Sequence, residues 1–350
     1  MSVSSPATPQ VAVLTDALGR PLRSLRISAI DRCDLRCHYC MPEEHYTWLP
    51  HQDILSFAEI EQIAAVFTEL GVRKLRLTGG EPLLRPNLED LVGRLSRNPL
   101  IDDMALTTNA TGLEKCALSL KQAGLHRVTA SLDSLRPERF EQLTRRRTLD
   151  WVVAGIRAAA AAGFRSLKIN CVIVRGLNDD ELVDLIEFGR EVHGEVRFIE
   201  YMDVGGATRW SPDKVVSRGE IVARLQAHYG RVEEDGQQGT APAERFRLPD
   251  GTCFGIVASV TAPFCRSCDR SRLTADGMWF LCLYAREGVD LRRFVREGSP
   301  EEMGQLIRRV WQGRANRGGE ERAADPQRGV LFRLEDLQKD PHREMHTRGG

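Results

Sequence analysis

Cys33-Asp34-Leu35-Arg36-Cys37-His38-Tyr39-Cys40 follows a strand-like run, Leu25 to Ile30, and sets three thiols at a C-x3-C-x2-C spacing. A tetrahedral structural zinc takes four protein ligands. A cubane iron–sulfur cluster has four irons, usually held by four thiolates. Three close thiols therefore suggest a cluster with one iron left open, able to bind a substrate or cofactor. A zinc site completed by His38, His45 or a distant cysteine is the alternative at this point.

Working outward, 350 residues allow one large domain or two smaller ones. Basic and acidic residues balance at 49 each, so bulk charge gives no ground for nucleic-acid or membrane affinity. No apolar run in the sequence approaches the roughly 18 residues of a membrane span. Residues 1–20 are Ser/Pro/Thr-rich, lack the basic start and apolar core of a secretory signal, and are expected to be disordered. Nine cysteines fall into two groups of three (33, 37, 40 and 265, 268, 282) and three singles (116, 171, 253). An odd, clustered set does not suit a disulfide framework. It suggests metal in a reducing compartment, hence the cytoplasm.

From residue 22 to about 202, strand and helix patterns alternate. Strands are expected at 25–30, 74–78, 104–108, 128–132, 167–174 and 196–202. Ser56 and Glu59 form a capping-box pair ahead of a helical period that runs to Leu70. Further helices are expected at 88–95, 113–122, 137–162 and 179–192. Six β/α units predict a parallel sheet with right-handed crossovers. The expected fold class is α/β, a partial (β/α)6 TIM-like barrel over residues 21–203, with function at the C-terminal ends of its strands. The unusual residues fall there. The cysteine loop follows strand one, Gly79-Gly80-Glu81 strand two, and Thr107-Thr108-Asn109 strand three; Ser131 and Asp133 end strand four, and Met202 ends strand six.

Residues 204–330 read as a C-terminal α+β extension carrying a second cluster. It contains a helix at 217–229, hairpins around Pro249-Asp250-Gly251 and Asp276-Gly277, and a helix at 301–312. The second hairpin delivers Cys282 to Cys265 and Cys268, a C-x2-C-x13-C group. Residues 331–350 are a polar tail ending in Gly349-Gly350.

Each feature has a plainer reading. The second triplet is a zinc knuckle if Cys253 or a histidine completes it. Two triplets that both lack a fourth ligand weaken that reading. Gly79-Gly80-Glu81-Pro82 is a simple turn, unless its bare backbone lets a ligand lie against the strand end while its carbonyls and Glu81 accept from an ammonium. Arg26 and Arg76 are snorkelling strand residues, whereas Arg270 and Arg272, next to a cysteine pair, suit phosphate oxygens. There is no Gly-rich P-loop, so a nucleotide would be held by side chains. Cys116, Cys171 and Cys253 read as small hydrophobes, and Arg145–Arg147 as solvated surface.

Cys33, Cys37, Tyr39 and Cys40 resemble the C-x3-C-Φ-C signature of radical S-adenosylmethionine (SAM) enzymes, and Gly79-Gly80-Glu81-Pro82 resembles their SAM-amine motif. With the second triplet and a terminal Gly-Gly, the chain resembles the GTP 3′,8-cyclase family of molybdenum cofactor biosynthesis from about residue 20 to its end. The resemblance implies two [4Fe–4S] clusters, one on Cys33, Cys37 and Cys40 with SAM on its open iron, and one on Cys265, Cys268 and Cys282 facing GTP. It implies SAM contacts at Tyr39, Gly80, Ser131 and Met202. It implies GTP contacts at Arg26, Arg76, Thr107, Lys168, Arg270, Ser271 and Arg272. The implied reaction cleaves SAM to a 5′-deoxyadenosyl radical, which takes hydrogen from C3′ of GTP; the sugar radical then attacks C8 of guanine. An electron donor, the next enzyme of the molybdopterin pathway and a homodimer are the implied partners. Arg348 stands where the family usually has an apolar residue before Gly-Gly. The alternative is another radical SAM enzyme with an auxiliary cluster, such as a peptide-modifying one.

Overall fold

The computed structural model describes residues 13–164, 166–236 and 239–349. In chain order its first part runs β1 (Ser24–Ser28), α1 (Phe57–Glu69), β2 (Lys74–Thr78), α2 (Leu88–Ser96), β3 (Asp103–Thr108), α3 (Leu113–Gln122), β4 (Arg127–Ser131), α4 (Pro137–Thr144), α5 (Leu149–Ala161), β5 (Lys168–Ile173), α6 (Leu182–Glu191) and β6 (Glu195–Glu200). The six strands pair in parallel in sequence order. Ser56 and Glu59 close a reciprocal capping box at the start of α1.

Alternation along a strand sends successive side chains to opposite faces. Leu25 and Ile27 of β1, Leu75 and Leu77 of β2, and Ile169, Cys171 and Ile173 of β5 lie in the apolar core. The residues between them, Arg26, Arg76 and Asn170, line a cavity on the other face. One strand period therefore makes both the core and the site.

The second part contributes α7 (Arg218–Tyr229), β7 (Glu233–Glu234), β8 (Glu244–Arg247), β9 (Cys253–Val257), β10 (Arg270–Leu273), β11 (Met278–Phe280), β12 (Val289–Asp290), α8 (Arg292–Arg296), α9 (Pro300–Gln312), α10 (Gly318–Ala323) and α11 (Leu334–Lys339). The two expected hairpins are β8–β9 and β10–β11. They do not form a separate sheet. β9 pairs in parallel with β6, and β10 pairs in parallel with β1. The result, among the described residues, is one mixed sheet of twelve strands, ordered β12-β11-β10-β1-β2-β3-β4-β5-β6-β9-β8-β7.

The helix expected over 137–162 is two helices, broken after Thr144, where Arg145 takes a left-handed φ of 56°. The carbonyls at the end of α4 serve the cysteine loop: His38 N donates to Leu143 O (2.8 Å) and Arg36 N to Thr144 O (2.9 Å). Arg146, expected on a solvated surface, donates through Nε to Asp34 O (3.0 Å). Of the segment expected to be disordered, residues 1–12 lie outside the described residues. Residues 13–20 pack against the fold, with Leu14, Asp16 and Arg20 buried. Buried ion pairs from Asp16 to Arg20 and to Arg314 hold them there. Beyond residue 312, where no regular structure was expected, the chain forms α10 and α11. No helix among the described residues is long and apolar enough to cross a membrane.

The C-terminal region is tied to the first part by aromatic packing. Trp279 of β11 is fully buried, edge-on to Phe67 of α1 (centroids 5.4 Å apart) and stacked on Trp311 of α9 (6.5 Å). Removing that ring leaves a cavity between three elements. Trp279→Ala should cost about 3–5 kcal/mol, measured by urea unfolding of the purified chain. A loss under about 1 kcal/mol would show that β11 and α9 do not unfold cooperatively with α1.

Candidate active site

Cys33, Cys37 and Cys40 line a pocket of about 120 Å³ together with Tyr39, Gly79, Gly80, Ser131 and Asp133. The loop that carries them is fixed from both sides. Asp34 accepts from Asn109 Nδ2 (2.6 Å) and Thr111 Oγ1 (2.7 Å) beyond β3. Tyr39 donates to Asp133 (2.7 Å), which also accepts from Val172 N (2.8 Å). Gly80 N donates to Ile30 O (2.8 Å) and Glu81 N to Arg32 O (2.7 Å), which zips the glycine turn onto the entry to the cysteine loop. A Cβ on Gly80 would stand 2.3 Å from Arg32 O, so only glycine fits.

Glu81 departs from expectation. Its carboxylate is buried and accepts from Thr108 Oγ1 (2.6 Å), Leu83 N (3.0 Å) and Asn109 N (2.6 Å). Burial pushes it up to about 7. It braces the turn against β3 and does not line the pocket, so the turn offers an ammonium its backbone carbonyls only.

Cys265, Cys268 and Cys282 line a second, larger cavity of about 360 Å³. Gly318 and Gly319 make room for them. A Cβ on Gly318 would lie 3.1 Å from Cys282 Sγ and 2.7 Å from Tyr284 Cβ; one on Gly319 would lie 3.2 Å from Cys265 Sγ. Both triplets are free thiols, so the soft donor set and the bare glycine walls fit a thiolate-held cluster at each. Their surroundings differ. Burial, then the Glu81 carboxylate, pushes the Cys33 thiol up to about 12, and burial also raises Cys37 and Cys40. Cys268 is lowered to about 7: burial opposes this, but the guanidinium groups of Arg270 and Arg314 outweigh it.

The larger cavity is lined by eight basic residues among those described, against Glu200 and Asp269. Sheet register sets three of them side by side, with Arg26 opposite Arg272 on β10 and opposite Arg76 on β2. Burial, then neighbouring arginines, lowers Arg26, and it lowers Arg76 and Arg272 to about 10. Arg76 donates to Thr107 Oγ1 (3.0 Å) and Thr129 Oγ1 (3.1 Å). Arg26 Nε and Arg270 Nε are buried without an acceptor. Buried donors without partners and crowded cations both call for a polyanion.

Arg26, Arg76, Thr107, Lys168, Arg270 and Arg272 thus meet in one cavity. Ser271 does not. It is buried on the opposite face of β10, because it stands between two residues that face the cavity. Tyr39 and Thr107 line both spaces, whereas Met202 lines the larger one only. Sequence reading assigned no role to Lys74, Arg127, Arg197 or Asn170, all on the cavity wall, although Asn170 stood out beside Lys168 within strand five. The signal was present: Lys74 lies two residues before Arg76 and Asn170 two after Lys168, in the same strand phase.

The C-terminal segment enters between the two spaces. Met345 and His346 line the cysteine pocket. Gly349 O accepts from Arg272 and from Arg26 (3.4 Å). Arg348 is buried; it donates to Leu283 O (2.9 Å) and Ala285 O (2.6 Å), with its guanidinium over the Phe280 ring at 4.2 Å. A flat cation that stacks on one face and donates at its edge fills a place suited to an apolar residue. Gly350 lies outside the described residues.

A parallel sheet bearing a three-cysteine loop and a glycine turn at its strand ends defines the radical SAM class. Residues 27–189 match the Radical SAM superfamily, and residues 194–319 match Molybdenum Cofactor Synthesis C. The chain is 52% identical to GTP 3′,8-cyclase 1 of Mycobacterium tuberculosis over 98% of this chain and 97% of that one. It is 47% identical to GTP 3′,8-cyclase of Acidothermus cellulolyticus, over 89% of each, and 42% identical to that of Xanthomonas axonopodis pv. citri, over 91% of this chain and 96% of that one. The chain belongs to the GTP 3′,8-cyclase family. In fold it is similar to Streptococcus suis SuiB bound to S-adenosylmethionine, with a TM-score of 0.59 at 17% identity over 87% of this chain and 68% of that one.

Lys168 offers a direct measure of the cavity. Burial, then Arg197, lowers it to about 8. A bound polyanion favours the charged form and raises that value. Triphosphate binding at pH 8 should therefore take up on the order of half a proton, and affinity should fall as pH rises from 7 to 9. Calorimetry of GTP binding in buffers of different ionisation heat reads the uptake. A heat independent of buffer at pH 8 would remove Lys168 from the phosphate site, and Lys168→Met should abolish the uptake.

Proposed function

We infer that the larger cavity binds the GTP on which this radical SAM family acts in molybdenum cofactor synthesis, and that the pocket beside it binds SAM. The family's cofactors are two [4Fe–4S] clusters and SAM. The observation that carries the assignment is the row of Arg272, Arg26 and Arg76 in a cavity almost without acids.

On this reading Cys33, Cys37 and Cys40 hold the first cluster, with Tyr39, Gly80 and Ser131 around SAM. When bound, these groups supply a 5′-deoxyadenosyl radical. Cys265, Cys268 and Cys282 hold the second cluster on the cavity wall, which Met202 also lines. Arg26, Arg76, Lys168, Arg270 and Arg272 neutralise the triphosphate and fix the ribose in reach of the radical. The product proposed is (8S)-3′,8-cyclo-7,8-dihydroguanosine 5′-triphosphate. We read residues 21–203 as a partial (β/α)6 barrel. The strands flanking the parallel run on both sides supply residues to one cavity, Arg270 and Arg272 from β10 beside β1 and Val257 from β9 beside β6, which supports a sheet wrapped around it. Residues 204–330 form the second-cluster and substrate region, and 331–350 the tail. A cytoplasmic site, an external electron donor, delivery to the next molybdopterin enzyme and a homodimer complete the proposal.

Anaerobic incubation with SAM, a reductant and GTP tests it. The expected products are 5′-deoxyadenosine and a cyclised nucleotide, both dependent on GTP. Equal 5′-deoxyadenosine without GTP, and no cyclised product, would overturn the assignment. Cys37→Ser should abolish SAM cleavage. Arg270→Ala with Arg272→Ala should weaken GTP binding on the order of 100-fold, from two lost charge-assisted contacts, while sparing uncoupled SAM cleavage. Unchanged affinity would remove both from the site.

A further inference from the structure

Asp16, Arg20 and Arg314 form a buried ionic group that the reaction does not use. Their relative exposures are 6%, 2% and 3%. Asp16 accepts from Arg20 Nε (2.6 Å) and N (2.8 Å), and from an Arg314 terminal nitrogen (3.3 Å). Each arginine then reaches one ligand residue of the second triplet. Arg20 donates to Cys265 O (3.0 Å) and Arg314 to Cys268 O (3.0 Å). Trp311 lies under the Arg314 guanidinium at 4.5 Å, and its indole donates to Arg20 O (3.3 Å). Nearly 300 residues of chain separate the partners.

We propose that Asp16, Arg20 and Arg314 are positioning residues for the second cluster, holding the Cys265–Cys268 turn in its ligating shape and offsetting the cluster's charge. This rests on the reading that Cys265, Cys268 and Cys282 hold that cluster. Two observations carry it. Both donors end on carbonyls of cysteine-bearing residues, so the turn's backbone cannot move without breaking a buried charged bond, which costs more than a neutral one. One carboxylate also faces two guanidinium groups, which leaves one excess positive charge out of water. Such a charge is unfavourable unless an anion stands beside it. Three thiolates around a cluster are that anion. The first triplet has only a local counterpart: Arg36, within its own loop, donates to Cys33 O (2.8 Å), and among the described residues no arginine or lysine lines its pocket.

The test is anaerobic reconstitution of the full chain with ferrous iron and sulfide. Arg314→Met removes the charge and the carbonyl bond; Arg314→Lys keeps a charge and one donor. Iron per chain should fall about two-fold in Arg314→Met, from two cubanes to one, with loss of the second cluster's EPR signal. Uncoupled SAM cleavage, which depends on the first triplet, should stay within two-fold of the parent. Arg314→Lys should restore most of the iron. Full iron and both EPR signals in Arg314→Met would overturn the proposal. So would equal loss of both clusters with a lowered melting temperature of the metal-free chain and no rescue by lysine, since that marks a fold element only. Should Arg314→Met not fold, Arg20→Met reads the same quantities at Cys265. A parent chain that takes up iron for one cluster alone would overturn the cysteine assignment itself, and that result appears without any substitution.

Discussion

Arg272, Arg26 and Arg76 stand abreast on three adjacent strands, and sheet register gives them no freedom to separate. Neighbouring strands lie about 4.8 Å apart. At charge separations of about 5–8 Å and an effective dielectric constant near 20, each adjacent pair repels by roughly 2–3 kcal/mol. Like charges directly opposite each other weaken a sheet. The fold tolerates the row because the opposite face of the same strands buries Leu25, Ile27, Leu75 and Leu77. A strand period of two thus converts core stability into a held, unfavourable charge array. On the cavity wall only the Cys268 and Cys282 sulfurs favour the charged arginines, so the array suits an anionic ligand.

The tail fits the same logic. Arg272 and Arg26 donate to the Gly349 carbonyl, a neutral acceptor that satisfies a donor without cancelling its charge. The carbonyl is placed there by Arg348, whose guanidinium locks onto Leu283 and Ala285, just after Cys282. The last residues of the chain are therefore coupled to the loop that presents the third thiol of the second triplet. His342 strengthens that coupling, bridging Asp276 in the β10–β11 turn (2.8 Å) and Asp340 (3.1 Å).

Local chemistry was readable wherever a short pattern decides it. The cysteine spacings, the Ser56–Glu59 capping box and the strand phases of Arg26, Arg76 and Lys168 needed no tertiary information. What failed was set by distant partners. Asp16 and Arg20 look like part of a polar leader until Arg314 is placed beside them. The continuous helical pattern over 137–162 hides a break whose purpose, to present carbonyls to Arg36 and His38, lies 100 residues upstream. Glu81 has the composition of a ligand contact, but Thr108 and Asn109 claim its oxygens. Ser271 was misplaced for a different reason, since grouping it with Arg270 and Arg272 ignored the alternation that the strand itself dictates. Strands β9 and β10 were legible as parts of hairpins but not as sheet neighbours of β6 and β1, because strand pairing across such sequence distances leaves no local trace.

The two cysteine triplets differ in electrostatic setting chiefly at Cys268, which neighbouring guanidinium groups lower while burial raises Cys265, and on the proposed reading their ligands explain why. Among the described residues the first pocket is lined by no lysine or arginine and by one acid, Asp133; Arg36 reaches only the Cys33 carbonyl from within the loop, and the three thiols are all raised. SAM carries a sulfonium and an ammonium, so it brings the positive charge that a loaded first site lacks. The second triplet faces an anionic ligand that brings none. There the compensation is built into the chain, through Arg270 and Arg314 at Cys268 and Arg20 at the Cys265 carbonyl. A cation placed in the first pocket would compete with SAM, and an acid placed in the second cavity would repel the triphosphate. The distribution of charge between two neighbouring spaces therefore sorts two nucleoside ligands that share a ribose and a purine, by the sign of what each carries at its 5′ end.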